Sequence, residues 1–411
     1  MRVSSLSKKI AIIGGGPAGL YTAEILSRKG YLVELFDQKS SVGRKFLVAG
    51  RGGLNITHSE PVELFSQRYF TDSTRSLKDR WIRTLELFSP QDLQRWVESF
   101  GIKTYVGSSR RIYPEGDSAA KLLMAWVERL KNQGVIFSLK HRLKAFEKRE
   151  TGWRISMESE GIERIDAFDA VVFAMGGGSW SETGSDGGWI DLFLQKGIAI
   201  TPFQSANCGW EIDWESWFLE KFEGEAIKGV EVWSERSEFK IKGDLTVTRY
   251  GIEGTPIYFL TRILRQQSSP QIWIDLKPDR SKEELRATYK VQRGFLKDIE
   301  KSWNLNALSK GLLLRSNPDR NLESFMDLLK SVPIKLKGPR PIEESISSAG
   351  GVKIEEVNEA GMLHRYPGLF CVGEMLDWEA PTGGYLLQGC FSGAAMTAEG
   401  VDQFILKLSC L

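Results

Sequence analysis

The sequence contains little cysteine and histidine, and both shortages limit the chemistry that it can support. Four cysteines occur among its 411 residues (Cys208, Cys371, Cys390 and Cys410), and none forms a C-x-x-C pair. This spacing argues against a local dithiol relay and suits reduced thiols. The three histidines have no partner at the spacing of metal ligands, so we do not expect a histidine-based metal site.

The sequence also lacks a strong net charge and any long apolar run. Its 55 basic and 53 acidic residues leave a net charge of +2, which disfavours nucleic acid or an anionic membrane as the main partner. No apolar stretch reaches the roughly 18 residues that a membrane span needs. The apolar run at Ile10–Ile13 is too short for a signal-peptide core. We therefore expect a cytoplasmic protein acting on a small molecule, with the oligomeric state open.

A strand, a helix and a second strand are predicted near the N-terminus. Lys9–Ile13 is short, β-branched and stopped by a glycine. Pro17–Lys29 has proline in its first turn and Gly30 as its C-cap, and Leu32–Asp37 alternates apolar and acidic residues. Such a tight βαβ unit predicts a parallel sheet.

The turn after the first strand carries the dinucleotide fingerprint G-x-G-x-x-G as Gly14, Gly16 and Gly19. The first glycine permits the turn, the second lets backbone approach a pyrophosphate, and the third lets helix and strand pack closely. Asp37 ends the second strand, where an acid should bond the adenosine ribose. The predicted binding set also includes Pro17, Ala18 and Gln38. NAD would produce the same pattern.

A second element near the C-terminus favours FAD over NAD. The predicted strand Leu369–Gly373 is followed by Glu374 and Asp377, and then by Gly383 and Gly384 at the start of a helix. In flavoproteins with two dinucleotide folds such an element returns to the cofactor: the acid bonds the ribityl chain, and the helix N-terminus faces the reduced flavin. A plain turn at the two glycines is the alternative.

The segment from Ser40 to Ser59 is basic and rich in glycine, and it is too long for an ordinary connection. Arg44, Lys45 and Arg51 could contact phosphates, while Gly50, Gly52 and Gly53 would let backbone pass close to a flat ring. A solvated basic loop is the alternative.

Six motifs together resemble a family of bacterial flavoproteins that includes dehydro-bile-acid-reductase-like and aminoacetone-oxidase-like proteins. They are Gly43–Glu60, Ala174–Gly177, Gly184–Gly187, Lys337–Ile342, Ile346–Val352 and Gly373–Gln388. The resemblance runs nearly end to end. It implies a discontinuous Rossmann-type FAD domain of the two-dinucleotide-fold kind, with an inserted β-barrel-like domain that carries a small helical insert.

The composition of the segments agrees with that α/β architecture. A strand pair is predicted over Val135–Met157. Short alternating strands begin after residue 200, among them Phe239–Ile241 and Leu245–Thr248, and a stretch rich in Lys, Glu and Leu with helical periodicity follows. We predict an FAD domain at 1–200 and 349–411, a β-barrel-like domain at 201–278 and 332–348, and a helical insert at 279–331.

By resemblance, FAD is bound without a covalent link. Its adenosine diphosphate half should contact Gly14, Gly16, Gly19, Asp37, Arg44 and Lys45. The ribityl and flavin half should lie near Asn55, Gly373, Glu374, Asp377, Gly384 and Tyr385. Gly50, Leu54, Gly176, Gly177 and Gly383 complete the predicted site.

The basic loop departs from the family in one respect. Gly53-Leu54-Asn55 stands where the broader family commonly carries Arg-Cys-Asn. The loop looks closer to the aminoacetone-oxidase-like branch, and the departure weakens any transfer of a reductase activity that uses the cysteine.

Three functions remain open from the sequence. The first is oxidation of a small primary amine such as aminoacetone, with oxygen as acceptor. The second is reduction of an unsaturated substrate with NAD(P)H as a transient reductant, and the third is a flavin-binding sensor without turnover. Trp180, Trp378 and Tyr385 could wall a substrate pocket, although packing is the role favoured for each, and no catalytic residue is identified. His58 is expected to be a hydrogen-bonded structural residue.

Overall fold

The computed structural model describes residues 8–50, 53–71, 77–107, 109–116, 119–316 and 321–409. Arg51, Gly52 and Cys410 therefore lie outside the described residues. The chain divides into two compact units. The discontinuous unit contains the residues up to Gln204 and those from Ile346 onward, and the inserted unit is Ser205–Ser345.

The elements of the discontinuous unit come from both ends of the chain. They are β1 (Lys9–Ile13), α1 (Pro17–Arg28), β2 (Leu32–Asp37), α2 (Arg44–Ala49), β3 (Thr57–His58), α3 (Val62–Phe65), α4 (Lys78–Leu87), α5 (Pro90–Glu98), β4 (Thr104–Val106), β5 (Arg111–Pro114), α6 (Ala119–Asn132), β6 (Ile136–Leu139), β7 (Arg142–Lys148), β8 (Trp153–Ser159), β9 (Ile162–Phe168), β10 (Ala170–Phe173), α7 (Ile190–Gln195) and β11 (Ile200–Ala206), whose end enters the inserted unit. After the inserted unit, β18 (Ser347–Val352), β19 (Leu369–Cys371) and α14 (Tyr385–Ser409) complete it.

The elements of the inserted unit lie between β11 and β18 along the chain. They are β12 (Trp210–Glu211), α8 (Ser216–Phe222), β13 (Ala226–Trp233), β14 (Ile241–Thr248), β15 (Gly251–Glu253), α9 (Thr255–Leu264), β16 (Gln271–Asp275), α10 (Lys282–Thr288), α11 (Phe295–Trp303), α12 (Ala307–Ser316), α13 (Leu322–Lys330) and β17 (Val332–Lys335).

The discontinuous unit is built on a five-stranded parallel sheet in the order β19-β10-β1-β2-β6. Both strands of the predicted βαβ unit have the expected bounds, and α1 ends one residue early, at Arg28. Gly30 follows with φ of 90°, a left-handed conformation that lets the chain leave the helix. The predicted Rossmann-type fold class is confirmed.

The region from 135 to 157 was expected to hold one strand pair, and it contains such a pair, β7 with β8, together with an additional strand, β6, that was not predicted. Residues of β6 join the parallel sheet beside β2, whereas β7 pairs with β8 in a separate antiparallel sheet that also contains β9. Lys140 lies between them with φ of 59°. This left-handed residue turns the chain out of the first sheet, and the apolar pattern on either side does not reveal it.

The inserted unit contains a six-stranded antiparallel sheet in the order β12-β15-β14-β13-β16-β17. The chain just after β17 returns to β12: the N–H of Glu211 donates to Gly338 O at 2.9 Å, and the N–H of Lys337 donates to Glu211 O at 2.9 Å. These bonds close the sheet on itself, which makes it barrel-like as predicted. Four helices, α10 to α13, lie between β16 and β17 along the chain.

Two details of the inserted unit differ from expectation. The strand predicted at Leu245–Thr248 belongs to the longer β14, which begins at Ile241, so that only the last residue of the strand predicted at Phe239–Ile241 is in a strand. The helices α8 and α9 were not predicted. The sequence of β14 resembles two separate strands because Gly243 and Asp244 interrupt its apolar pattern. A tertiary pairing with β13 overrides that weak local signal.

The core beside the parallel sheet joins α1 to α14. Tyr21 of α1 packs its ring 4.9 Å from that of Phe391 in α14. Glu24 of α1 is fully buried and accepts hydrogen bonds from the indoles of Trp96 at 3.0 Å and Trp126 at 2.8 Å. Arg129 lies 3.3 Å from its other carboxylate oxygen. No helix in the described ranges, the 25-residue α14 included, is both long enough and apolar enough to cross a membrane.

Candidate cofactor site

A large cleft opens where the parallel strands end. The chain turns to one side of β1 to form β2 and to the other side to form β10, and ligands of open α/β sheets bind at such a switch point. The cleft contains about 1070 Å³ of space, which includes its opening to solvent, and it is lined from the carboxyl ends of β1, β2, β10 and β19.

The three fingerprint glycines play different structural roles in the first turn. Gly14 has φ of +110°, and a Cβ there would lie 2.2 Å from the carbonyl oxygen of Ala174. A Cβ on Gly19 would lie 2.0 Å from Gly14 O, whereas one on Gly16 would meet nothing within 4 Å. Gly14 and Gly19 therefore allow close packing, while Gly16 leaves space in the cleft.

That space lies at the N-terminus of α1, and a pyrophosphate fits it. Gly16 is the N-cap residue and provides no side-chain cap, and Pro17 follows as the first helical residue. The uncapped N–H groups and the positive end of the helix dipole form an anion site. Arg44 also lines the cleft.

Asp37 stands at the end of β2 in the position expected of a ribose ligand. One carboxylate oxygen accepts the N–H of Gly15 and the other that of Lys39, both at 2.8 Å. Burial raises the pKa of this carboxyl, and the two N–H groups and the charges of Arg44 and Lys39 oppose that rise. Beside it, the Gln38 amide donates to Gly184 O at 2.8 Å.

The middle of the cleft contains a lysine and a carboxylate from opposite ends of the chain. Lys45 Nζ lies 2.8 Å from Glu374 Oε2 and 2.8 Å from Ser179 Oγ. The neighbouring Gly373 packs on α1, because a Cβ at this glycine would lie 2.9 Å from the Cβ of Ala18. The structure thus brings the late strand and acid to the first turn.

The start of α14 is attached to β3. With the Asn55 amide oriented so that its oxygen and nitrogen each meet a suitable partner, the nitrogen donates to Thr57 O at 2.9 Å and the oxygen accepts the N–H of Gly384 at 3.2 Å. A Cβ on Gly384, which has φ of +93°, would lie 2.5 Å from the Thr57 backbone. Thr57 Oγ1 is buried and has no hydrogen-bond partner among the described residues. These contacts hold the segment predicted to lie near the flavin against the glycine-rich loop.

The three aromatic residues considered as pocket walls do not line this cleft. Trp378 is 2% exposed, and its Nε1 donates to Gly373 O at 2.9 Å. The buried Tyr385 ring packs 4.7 Å from that of Phe65, and Trp180 is partly exposed with φ of 63°. Packing is the role that these positions support for Trp378 and Tyr385.

His58 uses both ring nitrogens on the backbone. Nε2 lies 3.1 Å from Ser109 O, and Nδ1 accepts the N–H of Glu60 at 3.2 Å. This pairing assigns the proton to Nε2 of a neutral ring, and burial lowers the pKa of the histidine. Such a fully bonded ring fits the expected structural role.

The predicted residues fall into two groups relative to the cleft. Those that line it are Gly14, Gly16, Pro17, Ala18, Asp37, Gln38, Arg44, Lys45, Gly176, Gly373 and Glu374. Those that do not are Gly19, Gly50, Leu54, Asn55, Gly177, Asp377, Gly383, Gly384 and Tyr385. Asp377 is only 2% exposed and accepts a bond from the Thr201 hydroxyl at 2.6 Å.

Several lining residues were not predicted to bind. They are Ser41, His141, Arg142, Leu143, Thr183, Gly184, Ser185, Asp186, Gly188, Trp189, Leu192, Val372 and Cys390. Some of them lie in the Gly184–Gly187 motif, to which no binding role was assigned from the sequence. The chain at His141–Leu143 follows β6 and offers no sequence signal, because its position depends on the strand before it.

Comparison with known proteins identifies relatives over nearly the whole chain. The family described as "HI0933-like protein Rossmann domain" matches residues 8–400. The 3-dehydro-bile acid delta(4,6)-reductase of Clostridium scindens is 25% identical, covering 92% of this chain and 95% of its own length. The ribosomal RNA dihydrouridine synthase of Escherichia coli is 23% identical over 94% of this chain and 96% of its length.

Solved structures share the fold at lower identity. The 3-ketosteroid-delta4-(5alpha)-dehydrogenase of Rhodococcus jostii superposes with a TM-score of 0.53 at 16% identity, covering 97% of this chain and 98% of that one. The 3-ketosteroid delta1-dehydrogenase of Sterolibacterium denitrificans gives 0.54 at 11% identity, over 97% of this chain and 100% of that one. The chain belongs to the HI0933-like family and is an FAD-dependent oxidoreductase.

Proposed function

We propose that this protein is an FAD-dependent reductase acting on an electron-poor carbon–carbon double bond of a small molecule. The observation that carries the proposal is that two relatives aligned over more than nine tenths of this chain are named for reductive products or reactions, a delta(4,6)-reductase and a dihydrouridine synthase. Their substrates are unrelated in size and class, so the shared feature is the reaction type.

The residues of the cleft support this chemistry by holding the cofactor. The N-terminus of α1 would take the pyrophosphate, Asp37 the ribose, and Glu374 the ribityl chain. Bound FAD supplies the hydride-transfer chemistry itself. The positive end of the α14 dipole lies at Tyr385, where it would favour negative charge on a nearby ring.

The overall reaction that we propose consumes one hydride from NAD(P)H and one proton, and it saturates one double bond. The chain has a single complete dinucleotide fingerprint. Gly176–Gly178 follows β10, but the next element is a short 3₁₀ turn at Ser181–Thr183 and not a helix. NAD(P)H would therefore visit the flavin as a transient reductant without a dinucleotide domain of its own.

A small molecule suits the charge of this chain better than ribosomal RNA does. Binding to RNA depends on a concentrated basic surface. Here 55 basic residues are balanced by 53 acidic ones. Nucleic acid as a substrate is the alternative that the relatives' names suggest and the composition disfavours.

A second candidate is oxidation of a small primary amine such as aminoacetone. One observation favours it: Leu54, which stands where the broader family commonly has cysteine, is only 3% exposed and offers no ionisable group. Reduction of a double bond needs a proton donor, whereas oxidation of a neutral amine at the flavin needs no strong protein acid. The replacement of the cysteine by Leu54 argues only against a reductase that depends on that cysteine.

Anaerobic bleaching of the purified yellow protein tests these functions. Under the proposal, NADPH or NADH bleaches the flavin, and an unsaturated ketone restores the colour without oxygen. Bleaching by aminoacetone with peroxide released on re-aeration would establish the oxidase. If none of these compounds bleaches the flavin, the result favours the flavin-binding sensor.

A further inference from the structure

The two adjacent basic residues of α2 point to different parts of the cleft. Arg44 contributes charge to the environment of Asp37 at the ribose end. The Nζ of Lys45 instead lies between Glu374 and Ser179. Successive residues of a helix project about 100° apart, so neighbours in sequence can serve separate ligand groups.

Glu374 is held on both carboxylate oxygens. Oε2 accepts from Lys45 at 2.8 Å, and Oε1 accepts the N–H of Ser348 at 3.2 Å. The Ser348 hydroxyl in turn accepts the N–H of Gly178 at 3.0 Å. The Lys45 and Glu374 side chains are 26% and 14% exposed, so solvent screens this pair less than a surface pair.

The same cluster restricts the backbone around it. A Cβ on Gly177 would lie 1.9 Å from the Ser348 hydroxyl oxygen and 3.4 Å from the Glu374 carboxyl carbon. Ser179 and Ser348 are fully buried. Four segments, carrying Lys45, Gly177–Ser179, Ser348 and Glu374, therefore fix one carboxylate in a single orientation at the wall of the cleft.

We propose that Lys45 is a positioning residue that orients Glu374 toward the ribityl chain of FAD, and that it does not neutralise the pyrophosphate. This replaces the sequence-based assignment of Lys45 to the adenosine diphosphate half. Arg44 retains that assignment. The proposal depends on FAD binding and not on the direction of electron transfer, because its test contains no substrate.

Binding of FAD and of ADP to the apoprotein separates the two roles, since ADP lacks the ribityl chain. For Lys45→Met we expect the dissociation constant for FAD to rise about 10-fold while that for ADP stays within twofold, the loss of one charge-assisted bond. For the control Arg44→Met both constants should rise by similar factors. An equal loss of FAD and ADP affinity in Lys45→Met, or no loss in either, overturns the proposal.

A double-mutant cycle provides the second criterion. If Lys45 acts through Glu374, then Glu374→Gln should lower FAD affinity, and adding Lys45→Met to it should produce little further loss. Fully additive effects on FAD affinity would contradict the proposal. Should Lys45→Met fail to fold, Lys45→Gln replaces it in both experiments, because its amide can still reach a hydroxyl.

Discussion

At the scale of single residues, the first turn separates packing from binding. Glycine is required at positions 14 and 19 because a Cβ there would lie 2.2 and 2.0 Å, respectively, from a backbone oxygen. A Cβ on Gly16 would meet no protein atom within 4 Å. Substitutions at Gly14 and Gly16 should therefore fail in different ways.

Gly16→Val should give folded, colourless protein. Its side chain fills the space assigned to the pyrophosphate without a clash with the protein, so the urea midpoint of the apoprotein should change little. Gly14→Ala should instead lower the free energy of unfolding by about 2 kcal/mol or more, since it adds backbone strain to a steric clash. Flavin absorbance and urea titration measure both; a yellow Gly16→Val would falsify the pyrophosphate assignment.

Buried Glu24 should be the most sensitive carboxylate in the core. It accepts from two indoles and lies beside Arg129. In Glu24→Gln an amide N–H₂ must face one of these donors, so we expect a loss of about 2–4 kcal/mol in the free energy of unfolding. The exposed Glu147→Gln is the control and should change the urea midpoint little. Equal midpoints for both variants would contradict this role.

At the scale of elements, local signals carried most of the successful predictions. The bounds of β1 and β2 were predictable because β1 is a short β-branched run ended by a glycine, and β2 alternates apolar and acidic residues up to Asp37. A hydrogen bond between Glu211 and Gly338 helps to close the inserted sheet. The local sequence of neither segment predicts a pairing between residues so far apart in the chain. The same reason explains why Asp377, predicted at the flavin, is bonded to Thr201.

Gly384, just before α14, and Gly393, within α14, are a matched pair of glycines for testing the flavin end of the site. Gly384→Ala places a Cβ 2.5 Å from the Thr57 backbone in a left-handed conformation, so we expect weaker FAD binding, by about 10-fold, and a loss of about 1–3 kcal/mol in stability. Gly393→Ala on the same helix meets only Val372 at 3.7 Å. It should keep FAD affinity and be neutral or more stable by up to about 1 kcal/mol. Similar FAD affinities in the two variants would refute the placement.

At the scale of the whole molecule, the cofactor cleft belongs to a unit made from both ends of the chain. The residues lining it come from β1 through α7 and, beyond the inserted unit, from Val372–Glu374 and Cys390. The glycine fingerprint and the late acid were both predictable as parts of a cofactor site. Their proximity was expected by analogy with flavoproteins that have two dinucleotide folds, but the pairing of β19 beside β10 that produces it was not predicted.

Removal of FAD should destabilise the discontinuous unit more than the inserted one. A ligand that binds only the folded state, at a free concentration of about 100 times its dissociation constant, adds about 2.7 kcal/mol. Hydrogen exchange with and without FAD measures the effect segment by segment. Amides of β1, β10 and β19 should lose protection in the apoprotein, whereas those of β13 and β14 should change little. Uniform loss across both units would argue against a cofactor confined to this cleft.

The split of the cleft between distant parts of the chain also sets an order of events during translation. When the ribosome has released residues up to Ser345, the first glycine turn and Asp37 have been synthesised, but Gly373, Glu374 and α14 have not. A nascent chain at that stage therefore lacks part of the cleft wall that would contact the flavin. The inserted unit is contiguous and can fold earlier, so cofactor capture should be one of the last steps in biogenesis.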